Sequence, residues 1–254
     1  MNELRRKEIL SALEERDFLG TDEAAQLWGA SASSIRRDFG FLAENGLVRR
    51  VRGGVRRIGV AENASIPLPV RNRFFVDEKQ AIARRAAVYL PADGAVFLHG
   101  GSTAEMMMPY LERGCVITDS VSLGEALRRK YAGGGGPELI MSGGCFDFKA
   151  GVLVGSRAEN MLSQYRVDAA FFSTRGLDRQ GLLDTNDQIA AVLRTMIRPA
   201  RKPVLLADHS KFTAFGLSRV VGWHEIFAVI TRRTPENGEF LDELIRQGVT
   251  VDLV

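Results

Sequence analysis

The sequence predicts an α/β chain in two parts: a small helical N-terminal head closed by a β-hairpin, then a larger, mostly parallel sheet covered by helices. Three observations predict it. Helical periods fill the first 44 residues, a Val/Arg alternation surrounds Gly53-Gly54, and from about residue 77 short apolar strands alternate with helical stretches. The 254 residues leave room for one or two domains. With 45% hydrophobic and 26% charged residues the composition is that of a globular protein, which excludes a disordered or fibrous chain.

In the head, residues 4–16 place Ile9, Leu10 and Leu13 on one helical face. Thr21 is positioned to cap a second helix over 22–28, with Ala24, Ala25, Leu27 and Trp28 as its apolar surface and Gly29 as its stop. Ser31 is positioned to cap a third helix over 32–44, which Asn45-Gly46 ends. On that helix Ile35, Phe39 and Leu42 share a face, Ser33 and Arg37 point nearly opposite, and Arg36 flanks them. An apolar face that anchors the helix and a Ser/Arg face left free is the division a DNA recognition helix requires, because arginine pairs bidentately with guanine in the major groove. Asp38 is expected to pair with an arginine inside the head. Residues 48–57 then read as a hairpin with a Gly-Gly turn, a wing that sets Arg49, Arg50, Arg52, Arg56 and Arg57 along a nucleic-acid backbone.

The charge distribution agrees. Seven arginines (Arg36, Arg37, Arg49, Arg50, Arg52, Arg56 and Arg57) meet two acids, Asp38 and Glu44, between residues 36 and 57, although the whole chain carries only +3. A basic footprint confined to one end marks a nucleic-acid module joined to something else. The absence of aromatics among these arginines argues against RNA and for double-stranded DNA.

Domains are accordingly expected at 1–58 and 71–254, with a proline-bearing linker at 59–70. In the second domain helices are expected near 77–89, 103–112, 121–131, 156–164, 187–200 and 239–247. Strands are expected at 95–98, 115–118, 138–141, 168–173, 203–207, 226–230 and 249–253. Such alternation makes a parallel sheet buried on both faces, with ligands at the carboxyl ends of its strands. The loops at those ends hold His99, Gly100, Gly101, Ser102 and Thr103, then Asp119 and Ser120, then Gly143, then Arg175 and Gly176, and finally Lys211. Glycines, hydroxyls and cations in that arrangement suit a small phosphorylated polyhydroxy ligand.

Cys115 and Cys145 lack paired metal spacing and are expected to be reduced core thiols; no metal or cofactor is expected. No apolar run approaches the ~18 residues of a membrane span, and no apolar stretch follows the N-terminal charges, so a cytoplasmic protein without a membrane partner is expected.

The run SASSIRRDFGFLAENGLVRRVRGG at 31–54 resembles the helix-turn-helix signature of the DeoR family of bacterial transcriptional regulators. Its Ser/Thr-Ile-Arg-Arg-Asp core stands as Ser34 to Asp38, and its Arg-x-x-Gly-Gly wing as Arg50 to Gly54. The resemblance continues down the chain. Arg73, Lys79 and Ile82-Ala83 match the start of the family's second domain, and Gly100 to Thr103 resembles its Asp-Gly-Gly-Thr-Thr phosphate loop. Thr118-Asp119-Ser120 resembles Thr-Asn-Ser, Gly151 to Gly155 a Gly-x-x-x-Gly stretch, and Leu206 to Phe212 the Leu-Ala-Asp-Ser-Ser-Lys-Phe motif.

The resemblance implies a winged helix-turn-helix plus a domain similar in fold to ribose-5-phosphate isomerase. It further implies a homo-oligomer, dimer or tetramer, acting as a repressor that leaves DNA on binding a phosphorylated sugar or polyol. Ser31, Ser33, Ser34, Arg36 and Arg37 with the wing arginines would hold operator DNA. The departures fall in the pocket: His99 replaces an aspartate, Asp119 an asparagine, and Arg175 an acid, while Ile189 and Leu193 stand where Glu and Lys are usual. Arg175 favours a more anionic ligand, and Asp119 opposes one unless the two pair. An isomerase-like enzyme is the alternative, but Asp178, Asp184 and Asp187 are expected to serve turns and caps, so no catalytic residue is expected.

Overall fold

A computed structural model describes residues 2–44, 47–57, 68–212 and 216–254. The chain forms two compact units, Met1–Ile66 and Pro67–Val254. The expected helix stop at Asn45-Gly46, residue 58 and most of the expected linker, residues 59–67, lie outside the described residues.

The first unit contains α1 (Asn2–Glu15), β1 (Phe18–Gly20), α2 (Thr21–Leu27), α3 (Ala32–Glu44), β2 (Val48–Val51) and β3 (Gly54–Arg57). Ile9, Leu13, Leu19, Ala24, Ile35, Phe39, Leu42 and Val55 are buried in its core, so the expected apolar face of α3 is the face that packs. Thr21 is the first residue of α2 and does not cap it; the Gly20 N–H donates instead to the Glu23 carboxylate at 3.5 Å. Leu27 is exposed and Trp28 half-buried, because a helix of seven residues offers the core little more than Ala24.

β1 is a strand the pattern did not announce; it completes a sheet of order β1-β3-β2. The hairpin turn is Arg52-Gly53, not Gly53-Gly54. Gly53 takes φ +85°, while Gly54 begins β3, where a Cβ would lie 2.2 Å from the Leu19 carbonyl oxygen.

The second unit begins with α4 (Leu68–Arg71) and α5 (Val76–Ala86), followed by β4 (Ala95–Leu98), β5 (Cys115–Thr118), α6 (Val121–Lys130) and β6 (Glu138–Met141). Next come β7 (Cys145–Asp147), β8 (Val152–Val154), α7 (Ser156–Leu162), β9 (Val167–Phe172), β10 (Gly176–Asp178) and β11 (Gly181–Asp184). The remainder is α8 (Asp187–Ile197), β12 (Ala200–Leu206), β13 (Ser218–Gly222), β14 (Ala228–Thr231), α9 (Gly238–Arg246) and β15 (Thr250–Leu253).

Seven strands form a parallel sheet of order β15-β14-β12-β9-β4-β5-β6. Their apolar runs feed two cores alternately. Val96, Leu98, Ala169, Phe171, Val204 and Leu206 pack toward α5 and α6, while Phe97, Ala170, Phe172 and Leu205 pack toward α7, α8 and α9. Each fully buried phenylalanine contributes about 1.5–3 kcal/mol.

Several expectations are corrected. Residues 104–110 form a 3-10 helix containing Pro109, which has no N–H for an α-helical bond. The helix expected to reach residue 200 stops at Ile197, because Pro199 excludes helix before it and β12 starts at Ala200. The hairpin β7–β8 and the antiparallel sheet β10-β11-β13 were not anticipated; their strands of three to five residues carry little periodicity. Both cysteines are free; Cys115 is half-buried and packs against the core, whereas Cys145 is exposed and is not a core thiol.

Candidate functional site

In the first unit, the Ser31 hydroxyl accepts from the Ser34 N–H at 3.2 Å and contacts the hydroxyls of Ser33 (2.9 Å) and Ser34 (3.0 Å). Ser31 therefore caps α3 as expected, which occupies its oxygen. Ser33, Arg36 and Arg37 are exposed on the face opposite Ile35, Phe39 and Leu42. Asp38 is buried and takes Arg5 Nε at 2.7 Å and Arg6 Nε at 2.8 Å, an ion-pair clamp that ties α1 to α3. Arg49, Arg50, Arg52, Arg56 and Arg57 are all exposed. Arg49 stands opposite Arg56 across the ladder, a like-charge pairing that costs stability by itself. Asp17 lies 3.8 Å from Arg56 and only partly offsets it.

The second site follows from topology. β4 is central: the chain runs from it to β5 and β6 on one side and later to β9, β12, β14 and β15 on the other. The strand order thus reverses between β4 and β9, and a crevice opens at their carboxyl ends. A cleft lies there, lined by His99, Gly100, Gly101 and Ser102 after β4, Ser173, Thr174 and Arg175 after β9, and Lys211 after β12. Arg71 of α4, Ala150, Asp184 of β11 and Ile189 of α8 complete it.

The structure divides the expected ligand residues between lining and scaffold. His99, Gly100, Gly101, Ser102, Arg175 and Lys211 line the cleft; Thr103, Asp119, Ser120, Gly143 and Gly176 do not. Asp119 is fully buried, with Oδ2 2.7 Å from His99 Nδ1 and Oδ1 accepting from the Gly100 N–H at 2.9 Å. It holds the loop and the histidine ring in place and does not pair with Arg175. Ser120 caps α6, accepting from the Leu123 N–H at 3.2 Å. A Cβ on Gly100 would sit 2.3 Å from Val152, so this glycine serves packing; at Gly101 nothing lies within 4 Å. Because a short 3-10 helix follows the loop, its capacity for an anion rests on loop amides and side chains, not on a long helix dipole.

The cations of the cleft are withdrawn from water. Burial, with Arg175 nearby, pushes the Arg71 guanidinium down to about 9. Burial likewise lowers Arg175 and Lys211, partly countered by Asp184 and Asp147 at the first and Asp208 at the second. Burial raises the Asp184 carboxyl, although it accepts from the Asn186 N–H at 3.0 Å. Arg71 Nε and Arg175 Nη1 are buried and have no hydrogen-bond partner.

Around them, Lys79, pushed down by burial to about 8, donates to the Arg71 carbonyl at 2.7 Å. Asp208 opens the 3-10 turn that carries Lys211, while His209 turns away to Glu78, 2.6 Å from its carboxylate. Asn186 caps α8 and donates to Asp147 at 3.0 Å, which latches the β7–β8 hairpin and Ala150 beside the cleft. Asp178 and Asp187 serve a turn and the first turn of α8, as expected, but Asp184 is a cleft residue. Sequence reasoning missed Arg71, which lies next to a stretch read as linker. Among the described residues no group of three His, Cys, Asp or Glu is placed to hold a metal ion.

Residues 75–233 match the DeoR C terminal sensor domain and residues 5–59 the DeoR-like helix-turn-helix domain. The chain belongs to the DeoR family of transcriptional regulators. It is 30% identical over 92% of its length to a glycerol-3-phosphate regulon repressor of Haemophilus influenzae, covering 90% of that protein. It is 30% identical over 95% of its length to the HTH-type transcriptional repressor GlcR of Bacillus subtilis, covering 92% of it. Ribose 5-phosphate isomerase A of Methanocaldococcus jannaschii shows a partial structural likeness: TM-score 0.39, 18% identity, 54% of this chain and 55% of that one. Among the described residues no helix is long and apolar enough to cross a membrane.

Proposed function

We propose that this chain is a repressor of a sugar or polyol catabolic operon, released from its operator by a phosphorylated sugar or related metabolite. The observation that carries the reading is the exposed Ser33, Arg36 and Arg37 face of α3, backed by a buried apolar face and followed by a wing of exposed arginines. Arg36, Arg37 and Ser33 read base edges; Arg49, Arg50, Arg52 and Arg56 neutralise phosphates, which relieves the Arg49–Arg56 opposition. Ser31 and Ser34 set the start of the helix.

The cleft supports a phosphorylated effector. Three cations, Arg71, Arg175 and Lys211, meet one lining carboxylate, Asp184, and Ser102 with the Gly101 backbone offers further donors. The relatives' names point the same way, one of them being a repressor of a glycerol-3-phosphate regulon. The working unit is a homo-oligomer that presents paired recognition helices to two half-sites. Effector coupling of about 1–3 kcal/mol lowers operator affinity about 5–150-fold.

Fluorescence anisotropy with the DNA upstream of the chain's own gene tests the reading, with and without phosphorylated sugars and polyols. Salt-sensitive, sequence-selective binding that one phosphorylated compound weakens is expected. Binding that does not distinguish this DNA from random duplex overturns it. Asp184 gives the isomerase-like alternative its specific support; turnover of an aldose phosphate by the purified chain would establish that alternative instead.

A further inference from the structure

We infer that Arg71 is the residue through which a bound effector acts on the DNA-binding head, a positioning residue for the response, whereas Arg175 sets effector affinity alone. This rests on the sensor reading above and deepens it.

Chain order singles Arg71 out. The head ends at Ile66, so α4 (Leu68–Arg71) is the first element of the second unit, and the last residue of α4 lines the cleft. Every other lining residue stands at position 99 or later. The three lining cations also differ in how they are held. Arg175 follows β9, between β4 and β12 in the main sheet, and its N–H donates to the Leu183 carbonyl at 3.2 Å. Lys211 stands on a turn capped by Asp208, which accepts from the Ser210 N–H at 3.1 Å, and pinned to Glu78 through His209. α4 has four residues, too few to be helical without tertiary support. The β7–β8 hairpin and α5 give that support. The Leu68 N–H donates to the Lys149 carbonyl at 3.3 Å, the buried Leu68 side chain lies over Gly151, and Lys79 Nζ donates to the Arg71 carbonyl at 2.7 Å.

The end of α4 is also where demand is unmet. Arg71 Nε and, on the next residue, Asn72 Oδ1 are buried without a hydrogen-bond partner. Unmet buried donors and acceptors destabilise the arrangement that strands them. Burial and the like charge of Arg175 both act against the Arg71 guanidinium, and Glu105, Asp184 and Asp208 offset them only in part. An anion among the three cations turns that repulsion into attraction and gives Arg71 Nε an acceptor. An effector shifts an equilibrium only through contacts that differ between the two states, and the anion–Arg71 pair is such a contact. Because Arg71 stands on the least fixed backbone of the three, the shift falls on α4 and on the chain that enters it from the head.

The test separates effector affinity from effector response in the full chain. Isothermal titration with glycerol 3-phosphate, ribose 5-phosphate, glucose 6-phosphate and inorganic phosphate gives the affinity of the wild type and of each variant. Anisotropy with the DNA upstream of the chain's own gene then gives the ratio of DNA affinities without and with the tightest binder, added at about 100 times each protein's own Kd. The wild-type ratio is expected at about 5–150. Arg175→Met should bind the effector about tenfold or more weakly, yet keep the wild-type ratio once saturated. Arg71→Met, once saturated, should show a ratio below about two. Leu68→Ala loosens α4 from Gly151 without touching the cleft lining; its effector affinity should stay within about threefold while its ratio falls. Thermal midpoints and DNA affinity without effector report folding separately.

If saturated Arg71→Met keeps the wild-type ratio, the inference is overturned and the sensor reading stands; should that variant fail to fold, Leu68→Ala decides on the same criterion. If saturated Arg175→Met loses the ratio as fully as Arg71→Met, control belongs to the cleft as a whole and the assignment to Arg71 is refuted. If none of the four probes binds the wild type, or one binds without changing its hold on DNA, the sensor reading falls and this inference with it.

Discussion

In the head, Arg36, Arg37, Arg49, Arg50, Arg52 and Arg56 stand exposed on one helix and one hairpin. In the cleft, Arg71, Arg175 and Lys211 are gathered from three separate elements and drawn away from solvent. Exposed cations act over a Debye length, attract any polyanion, and lose their hold as salt rises. Buried cations pay for desolvation until a matching anion arrives, so they select by shape and charge at contact distance. On the proposed function, one chain carries a long-range, tolerant surface for DNA and a short-range, selective one for a metabolite.

The contrast can be broken at either end. The largest effect is expected from Gly54→Val. Its Cβ would meet the Leu19 carbonyl at 2.2 Å, so the β1-β3-β2 sheet cannot close and DNA binding should vanish. Effector binding, measured calorimetrically, should persist; loss of both would show that the units do not fold independently. Gly101→Asp comes next. Nothing lies within 4 Å of a Cβ there, so the side chain fits, but its carboxylate opposes a phosphate. A loss of about 100-fold or more in effector affinity is expected, with DNA binding kept; a retained response would displace the phosphate from this loop.

Arg37→Ala should weaken cognate DNA by about 1–3 kcal/mol and random DNA much less. Equal losses on both would make Arg37 a backbone contact. Arg56→Ala should weaken both and flatten the slope of log affinity against log salt by about 0.9; an unaltered slope would leave Arg56 outside the interface.

The smallest effect is on stability against pH. Lys79 is pushed down by burial to about 8 in the folded chain from 10.5. Between those values the unfolded chain binds the extra proton, so this residue makes stability rise with pH there, by less than about 1.4 kcal/mol per unit. Urea titrations from pH 8 to 10 should show a rise that Lys79→Met makes shallower; parallel curves would refute the contribution.

Much of this architecture was legible in the sequence. Strands at 95–98, 115–118 and 138–141 and the third helix at 32–44 were placed to the residue. Each is an uninterrupted apolar or strongly amphipathic segment with its own cap or turn, so local chemistry suffices. The same holds for Asp38, whose expected pairing with an arginine inside the head is the pair it makes with Arg5 and Arg6. Short strands such as β7, β10 and β11 were invisible, because Cys-Phe-Asp, Gly-Leu-Asp and Gly-Leu-Leu-Asp hold no apolar run beyond two residues and end on aspartate.

The cleft was half visible. The strand-end rule found His99 to Ser102, Arg175 and Lys211, since those residues follow apolar, buried strands of the main sheet. It also swept in Asp119 and Ser120, which have the same local setting but brace or cap the loops, and Gly143, which does not line the cleft. Arg71 and Asp184 needed the tertiary structure. One sits on a four-residue helix next to a stretch read as linker, the other on a short strand of a secondary sheet.

The sequence by itself determined most helices, the strands of the parallel sheet and their order along the chain, the face of α3 that packs and the face left free. These follow from periodicity and capping among near neighbours in the chain. Only the tertiary structure decided which charges are stranded from water, because desolvation depends on what distant segments bring to the same place: α4, the end of β9, β11 and the turn after β12 meet where the strand order reverses.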